Sequence, residues 1–221
     1  DPGGLLGGWA TANQGASFAT VTVNVTNNIA AYSGTTTALF NGGASSNVDS
    51  PTVTTIGGGA TTINSLRFNT APGASYTLDA TGGLTIGSGG ILVTPSSGTN
   101  FFAITGGTLT SGNGADLIVH HWNSAASAYL SIDSKITGAI GLTKVGSGTV
   151  IVSNGANDFT GQTNIGGSGI LQVTASGALG AGQVNMNSAA QLQLAGGVTL
   201  ANNIVVNNAS GKSGEGAIFA Y

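Results

Sequence analysis

The densest set of side chains able to do chemistry runs from Asp116 to Asp133, with His120, His121 and Trp122 between the two carboxylates. Two imidazoles and two carboxylates are the raw material of a divalent-metal site or an acid–base pair. Spacing limits what they can do. If residues 116–120 form a strand, Asp116 and His120 share one face and His121 turns to the other. One histidine and one carboxylate on a face fall short of the three protein ligands of a catalytic zinc. The expectation is a solvated face ending in a loop at His121-Trp122-Asn123. Residues 111–119, Ser-Gly-Asn-Gly-Ala-Asp-Leu-Ile-Val, come close to the calcium-binding nonapeptide G-G-x-G-x-D-x-U-x, with serine in the first slot. Such an ion sits between two consecutive turns that both carry the motif. One copy is present, so an ordinary glycine turn before a strand is expected.

The other chemical options are thinner. The acids are Asp1, Asp49, Asp79, Asp116, Asp133, Asp158 and Glu215. Polysaccharide-cleaving enzymes built on β-helices gather carboxylates and a basic residue on one face. Only Asp116, Asp133 and Asp158 fall close enough in sequence, and Asp158, beside Phe159, reads as a turn residue. There is no Gly-x-Ser-x-Gly, no P-loop and no His-Glu-x-x-His; Gly87-Ser88-Gly89-Gly90 is turn chemistry. Phe101 and Phe102 are adjacent, so one enters the core and the other packs against a loop or partner. Phe101, Phe102, Trp9 and Trp122 are the aromatics from which a sugar-stacking platform could be built; Trp9 reads more readily as a plug at the N-terminal end. No catalytic, cofactor-binding or metal residue is assigned, no cofactor is expected, and the chain is not read as an enzyme.

Composition narrows the class. The 221 residues include 39 glycines and only 5% charged residues, yet 40% are apolar and fall in alternating runs. Disordered chains are rich in charge and proline; this one has 4 prolines. A folded chain is expected. Four scattered basic residues (Arg67, Lys135, Lys144, Lys212) and a net charge of −3 cannot neutralise a row of phosphates, so nucleic acid is excluded as a partner. No apolar run reaches the ~18 residues of a membrane span. No basic stretch precedes an apolar core, so no signal peptide is visible; a leader removed before Asp1 is compatible with this. Absence of cysteine excludes disulfides and thiolate metal sites.

The elements that would position these residues are short strands. Between residues 141 and 180, four runs alternate apolar and polar residues between glycine turns: Leu142–Val145, Thr149–Val152, Gln162–Ile165 and Gly169–Val173. The same rhythm predicts strands at Phe18–Val25, Thr37–Phe40, Thr52–Ile56, Thr62–Phe68, Tyr76–Asp79, Leu84–Ile86, Ile91–Thr94, Phe101–Thr105, Thr108–Thr110, Asp116–His120 and Tyr129–Ile132. It continues at Val184–Met186, Gln191–Leu194, Val198–Leu200, Ile204–Asn207 and 216–221. Apolar anchors at Ile132, Val152, Val173 and Leu194 recur every 20 or 21 residues. That period, cut into about three strands, predicts one rung of an all-β, right-handed parallel β-solenoid (β-helix), stacked at ~4.8 Å per rung. About ten such rungs would span on the order of 50 Å. A β-sandwich would need longer strands and more widely spaced turns. Residues 1–50 are read as an N-terminal cap or irregular first rungs, and 51–221 as the solenoid. Thr and Asn are expected in ladders on the outside.

Residues 141–180 also carry a resemblance. Gly141-Leu142-Thr143-Lys144, Gly146-Ser147-Gly148-Thr149-Val150, Asn157-Asp158-Phe159-Thr160-Gly161, Thr163, Gly169-Ile170-Leu171-Gln172-Val173 and Ala178-Leu179-Gly180 resemble the autotransporter-associated β-strand repeat, or passenger-associated transport repeat, of bacterial surface proteins. Val150 and Val152 stand where leucine is usual, Asp158-Phe159 where Thr-Tyr is usual, and Gln162 where a small residue is usual. Weaker likeness extends over nearly all the chain, including Gly7–Thr11 and Ile63–Phe68. The resemblance implies an exported chain at the bacterial cell surface or outside it, acting as a structural or adhesive stem. The last strand has no polar cap after it. The expectation is a piece of a longer stem, or head-to-tail stacking of copies into a filament, with other surface components as further partners. A carbohydrate-binding or carbohydrate-active module on the same scaffold is the contrasting expectation.

Overall fold

The computed structural model describes residues 10–12, 15, 17–21, 29–31, 43–49, 59–69, 75–114, 116–212 and 214–221. Its strands are two to five residues long because glycine, often in the left-handed region, interrupts most of the alternating runs. Runs this short cannot bury a face alone. They do so by lying on the next copy in parallel, which gives a β-solenoid with three sheets.

The first sheet has eight strands: Asn47–Asp49, Ser65–Phe68, Gly90–Val93, Leu117–His121, Leu142–Val145, Thr163–Ile165, Val184–Asn187 and Ile204–Asn207. The second has seven, at Tyr76–Asp79, Phe102–Thr105, Tyr129–Ile132, Thr149–Val152, Ile170–Val173, Gln191–Leu194 and Ile218–Ala220. The third has four, at Thr61–Ile63, Leu84–Ile86, Thr108–Ser111 and Lys135–Ile136. The chain visits first, second and third sheet in turn and then rises one rung. The predicted anchors lie in register: Ile132 beside Val152, Val152 beside Val173, Val173 beside Leu194.

Rung length is uniform only where the sequence repeat is close. The lowest rung is short, with Val48 paired to Leu66, and those after it are longer, with Leu78 paired to Ile104 and Ile104 to Ile132. The solenoid has about seven turns instead of the expected ten, roughly 30 Å along its axis at ~4.8 Å per rung. The count is lower because its strands begin only at Asn47, the described strands before it form a separate antiparallel sheet, and several rungs exceed 21 residues. The extra rung length lies in the corner between the first and second sheets. It is wide at residues 94–101, which include a 3₁₀ turn at Pro95–Ser97, and at 122–128. It then tightens to Gly146–Gly148, 166–169 and 188–190. In the tight corners and the next turn above, a residue with positive φ stands within two positions of the end of each first-sheet strand: Gly146 (94°), Gly167 (79°), Ser188 (60°) and Asn208 (57°).

Other differences have local causes. The predicted strand Thr62–Phe68 is two strands, because Asn64 turns the corner and its amide donates to Asn47 Oδ1 at 2.8 Å. Val198–Leu200 packs partly against the core without joining a sheet. The run at Phe18 forms Ser17–Val21, paired antiparallel with Thr11–Ala12 and Ile29–Ala31. This small sheet lies on the outer face of the first sheet: Phe18 packs on Leu92 with Trp122, and Arg67, ion-paired to Asp49 at 2.7 Å, donates to Ser17. Val23, Val25, Thr37–Phe40, Thr52–Ile56 and Trp9 lie outside the described residues.

From residue 153 upward the third side holds no regular strand, and asparagine completes its ladder. Asn157 Oδ1 accepts the Ile136 N–H from the rung below at 2.7 Å, and its amide donates to Ala178 O of the rung above at 2.7 Å. Beside it Phe159 fills the interior, fully buried. Asn157→Ala strands a buried N–H and a buried carbonyl at once. Each orphaned group costs ~1–3 kcal/mol, so a loss of about 3 kcal/mol is expected. Urea denaturation checks it; a change below ~0.5 kcal/mol would show that water replaces the amide.

Candidate functional site

The inward column of the first sheet runs Val48, Leu66, Ile91, Val119, Lys144, Ile165, Met186, each in register with the next. Every member is buried, Lys144 included at 0% exposure. A lysine thus occupies a place where six neighbours in the stack are aliphatic or methionine. Beside it a second inward column runs Phe68, Val93, His121, and His121 is also 0% exposed. Both polar side chains come from simple alternation. Leu117, Val119 and His121 share the inner face, as do Leu142 and Lys144.

They meet under the first tight corner, Gly146-Ser147-Gly148. The Lys144 ammonium nitrogen donates to Gly146 O at 2.8 Å. A Cβ on Gly169, one rung up, would overlap Lys144 Nζ and the carbonyl oxygens of Gly146 and Gly148. A Cβ on Gly148 would overlap the His121 ring. Glycine is required at both positions because the two buried side chains take the space. Neither ring nitrogen of His121 completes a hydrogen bond, although the backbone of His121 and Asn123 lies beside the ring. The Thr163 hydroxyl, also in the interior, is likewise without a partner.

Burial dominates the electrostatics. Desolvation, with the nearby Lys144 and Lys212 charges, pushes His121 down from 6.5 to about 3, so its imidazole is neutral. Desolvation first, and then the Lys212 charge, pushes Lys144 down from 10.5 to about 7. Near neutral pH the corner therefore holds an amine poised between its two protonation states.

The residues singled out from sequence are placed apart. Asp116 Oδ1 accepts the Gly141 N–H at 3.1 Å and Oδ2 accepts the Thr143 hydroxyl at 3.0 Å. Its carboxylate is occupied in tying one rung to the next, and residues 112–114 form a 3₁₀ turn. Asp133, at the far end of the second sheet, accepts from the hydroxyls of Ser131 (2.6 Å) and Ser153. His120 and His121 do take opposite faces. The expected solvated face is corrected, however: His120 is 4% exposed, covered by Phe18, whose ring meets the imidazole edge-on at 6.4 Å. Among the described residues no group of three or more His, Asp or Glu is placed to hold a metal ion. Asp158 pairs with Lys135 on the surface, and this hydrogen bond holds its carboxyl below the usual range. Phe102 is in the core against Phe68, and Phe101 stacks outside on Tyr129 at 4.9 Å.

Stacked parallel sheets around stacked inward columns make this protein a β-solenoid. Comparison with protein-family models, curated proteins and solved structures returned no match.

The Lys144 corner sets a pH dependence. The folded-state value lies below the unfolded one, so between about pH 7 and pH 10.5 the unfolded chain binds more protons, and stability rises with pH across that window. Below pH 7 the penalty is full and constant. Lys144→Met should flatten this slope and raise stability at pH 7, by ~1–4 kcal/mol on the behaviour of other buried charges replaced by apolar side chains. Chemical denaturation at pH 7, 8.5 and 10 checks both; parallel curves for the two proteins would mean that Lys144 stays charged in the core.

Proposed function

We propose that this β-solenoid is a stem of an exported bacterial surface protein, a passive spacer that sets reach and presents whatever adheres. The observation that carries the reading is the outer face, where polar side chains bond from rung to rung. Asp116 accepts from Thr143, Thr143 from Asn164, and the amide of Asn185 donates to Asn164 and Gln162, at 2.9 to 3.4 Å. Gln172 donates to Gln193 on the neighbouring face at 3.3 Å. A surface whose hydrogen bonds run along the axis stiffens a rod without adding charge.

The resemblance over 141–180 adds support, because its residues have structural jobs here. Lys144 lies under the corner, Gly146 and Gly148 make the corner, Asn157 bridges three rungs, and Phe159 and Leu179 are core. Copies stacking end to end into a filament belong to the same proposal. Among the described residues the exposed large apolar side chains are Val206, Ile218 and Tyr221, all on the topmost described turn.

The expected outcome is that antibody raised against the solenoid labels intact cells of the source organism and that protease added outside removes the label. Labelling seen only after permeabilisation would overturn export. Electron microscopy of purified protein across a concentration range tests assembly separately: rods lengthening in multiples of one unit are expected, and single units throughout discard the filament while leaving the stem.

A further inference from the structure

The chain from 208 to 217 is longer than the tight corners below it, and it does not stay on its own rung. Lys212, within it, donates its ammonium to Ser147 O at 3.5 Å, across the corners at 166–169 and 188–190. Ser147 is the middle residue of the corner that Lys144 supports from inside. Two lysine nitrogens therefore hold consecutive carbonyls of one turn: Lys144 on Gly146 O from the core, Lys212 on Ser147 O from the outer side.

We propose that residues 208–212, rooted through 214–216, form a strap held over this corner while Lys144 is neutral and released when Lys144 takes up a proton.

The charges around the corner give the direction. His121 faces it from the strand below and Lys212 from the strap; the strand above contributes Thr163, which carries no charge. The acid of the strap, Glu215, accepts from the Gln191 amide at 3.1 Å, in the second sheet near the strap's root. Among the described residues no carboxylate is hydrogen-bonded or ion-paired to either lysine at the corner. Protonating Lys144 puts a second positive charge beside Lys212 in a poorly solvated place, where repulsion is only weakly screened. Lys144 is locked in the stack, so Lys212 is the side chain able to leave. The Gln191 bonds to Glu215 and Gly216 O, both 3.1 Å, keep the root in place, and Gly211 and Gly214, at φ 77° and 82°, turn the chain between. Burial of Lys144 puts the step near neutral pH. The inference is independent of where the protein resides.

Cleavage after Lys212 by a lysine-specific endoprotease reads the strap directly. Rates on the intact chain at pH 6 and pH 9 are each divided by the rate on a free peptide of residues 208–216, which removes the enzyme's own pH dependence. The normalised rate should be at least tenfold higher at pH 6 than at pH 9, and the ratio should fall to about one in Lys144→Met. Equal rates in the native chain, or the same rise in Lys144→Met, overturn the proposal. If Lys144→Met does not fold, Lys144→Gln takes its place, and nitrogen NMR of the native protein decides alone: a Lys144 side-chain signal that does not titrate between pH 6 and 9 overturns it equally.

Discussion

Every other feature depends on the backbone ladder between rungs. In a parallel stack each rung's N–H and C=O groups are satisfied by the rungs above and below, and by little else. This forces side chains at equivalent positions into columns, because a rung can move neither along nor across its neighbours without breaking its ladder. Inside, the columns are mostly Leu, Ile, Val and Phe. Outside they are Thr, Asn and Gln, which bond along the axis. The constraint also explains Asn157: where the third side is too irregular for a strand, a side-chain amide supplies the acceptor and the donor that the backbone would have supplied.

The same constraint explains why the change in rung shape is so localised. Lower rungs turn from the first to the second sheet through wide corners, and upper ones through a tight glycine corner. In the wide rungs the inward position before the corner carries Phe68, Val93 and His121; in the next rung that position is Gly146, already in the turn. The interior loses a side chain at this step, and the long arms of His121 and Lys144 fill the gap beneath Gly148 and Gly169. An unbranched lysine stem packs like methionine while its nitrogen reaches a carbonyl that the tight turn leaves facing inward.

Much of this was legible in the sequence. The 20- and 21-residue spacing of Ile132, Val152, Val173 and Leu194 gave the register of the upper rungs directly, because identical corners preserve a period. The lower rungs were harder to count, since wide corners break the period without changing the strands. His120 was read as solvated because alternation shows which face a side chain takes but not what covers that face; Phe18 comes from about a hundred residues away. Lys144 stands two residues after Leu142, so strand alternation puts both on one face. Its charge argued for the surface, and the geometry of the strand overrode that preference.

A buried amine without an acid beside it would be a poor choice in a compact core, where the cost falls on one cooperative unit. A solenoid is different, since each rung touches only its neighbours and the penalty stays within the rungs that meet at the corner. Their ladders, the aliphatic columns above and below, and the Asp116 ties to Gly141 and Thr143 hold those rungs while the corner carries its strain. Lysine can therefore sit in the stack without loosening the rod as a whole. What its protonation can move is limited to the element that leans on the same turn and has no ladder of its own there, the segment that carries Lys212.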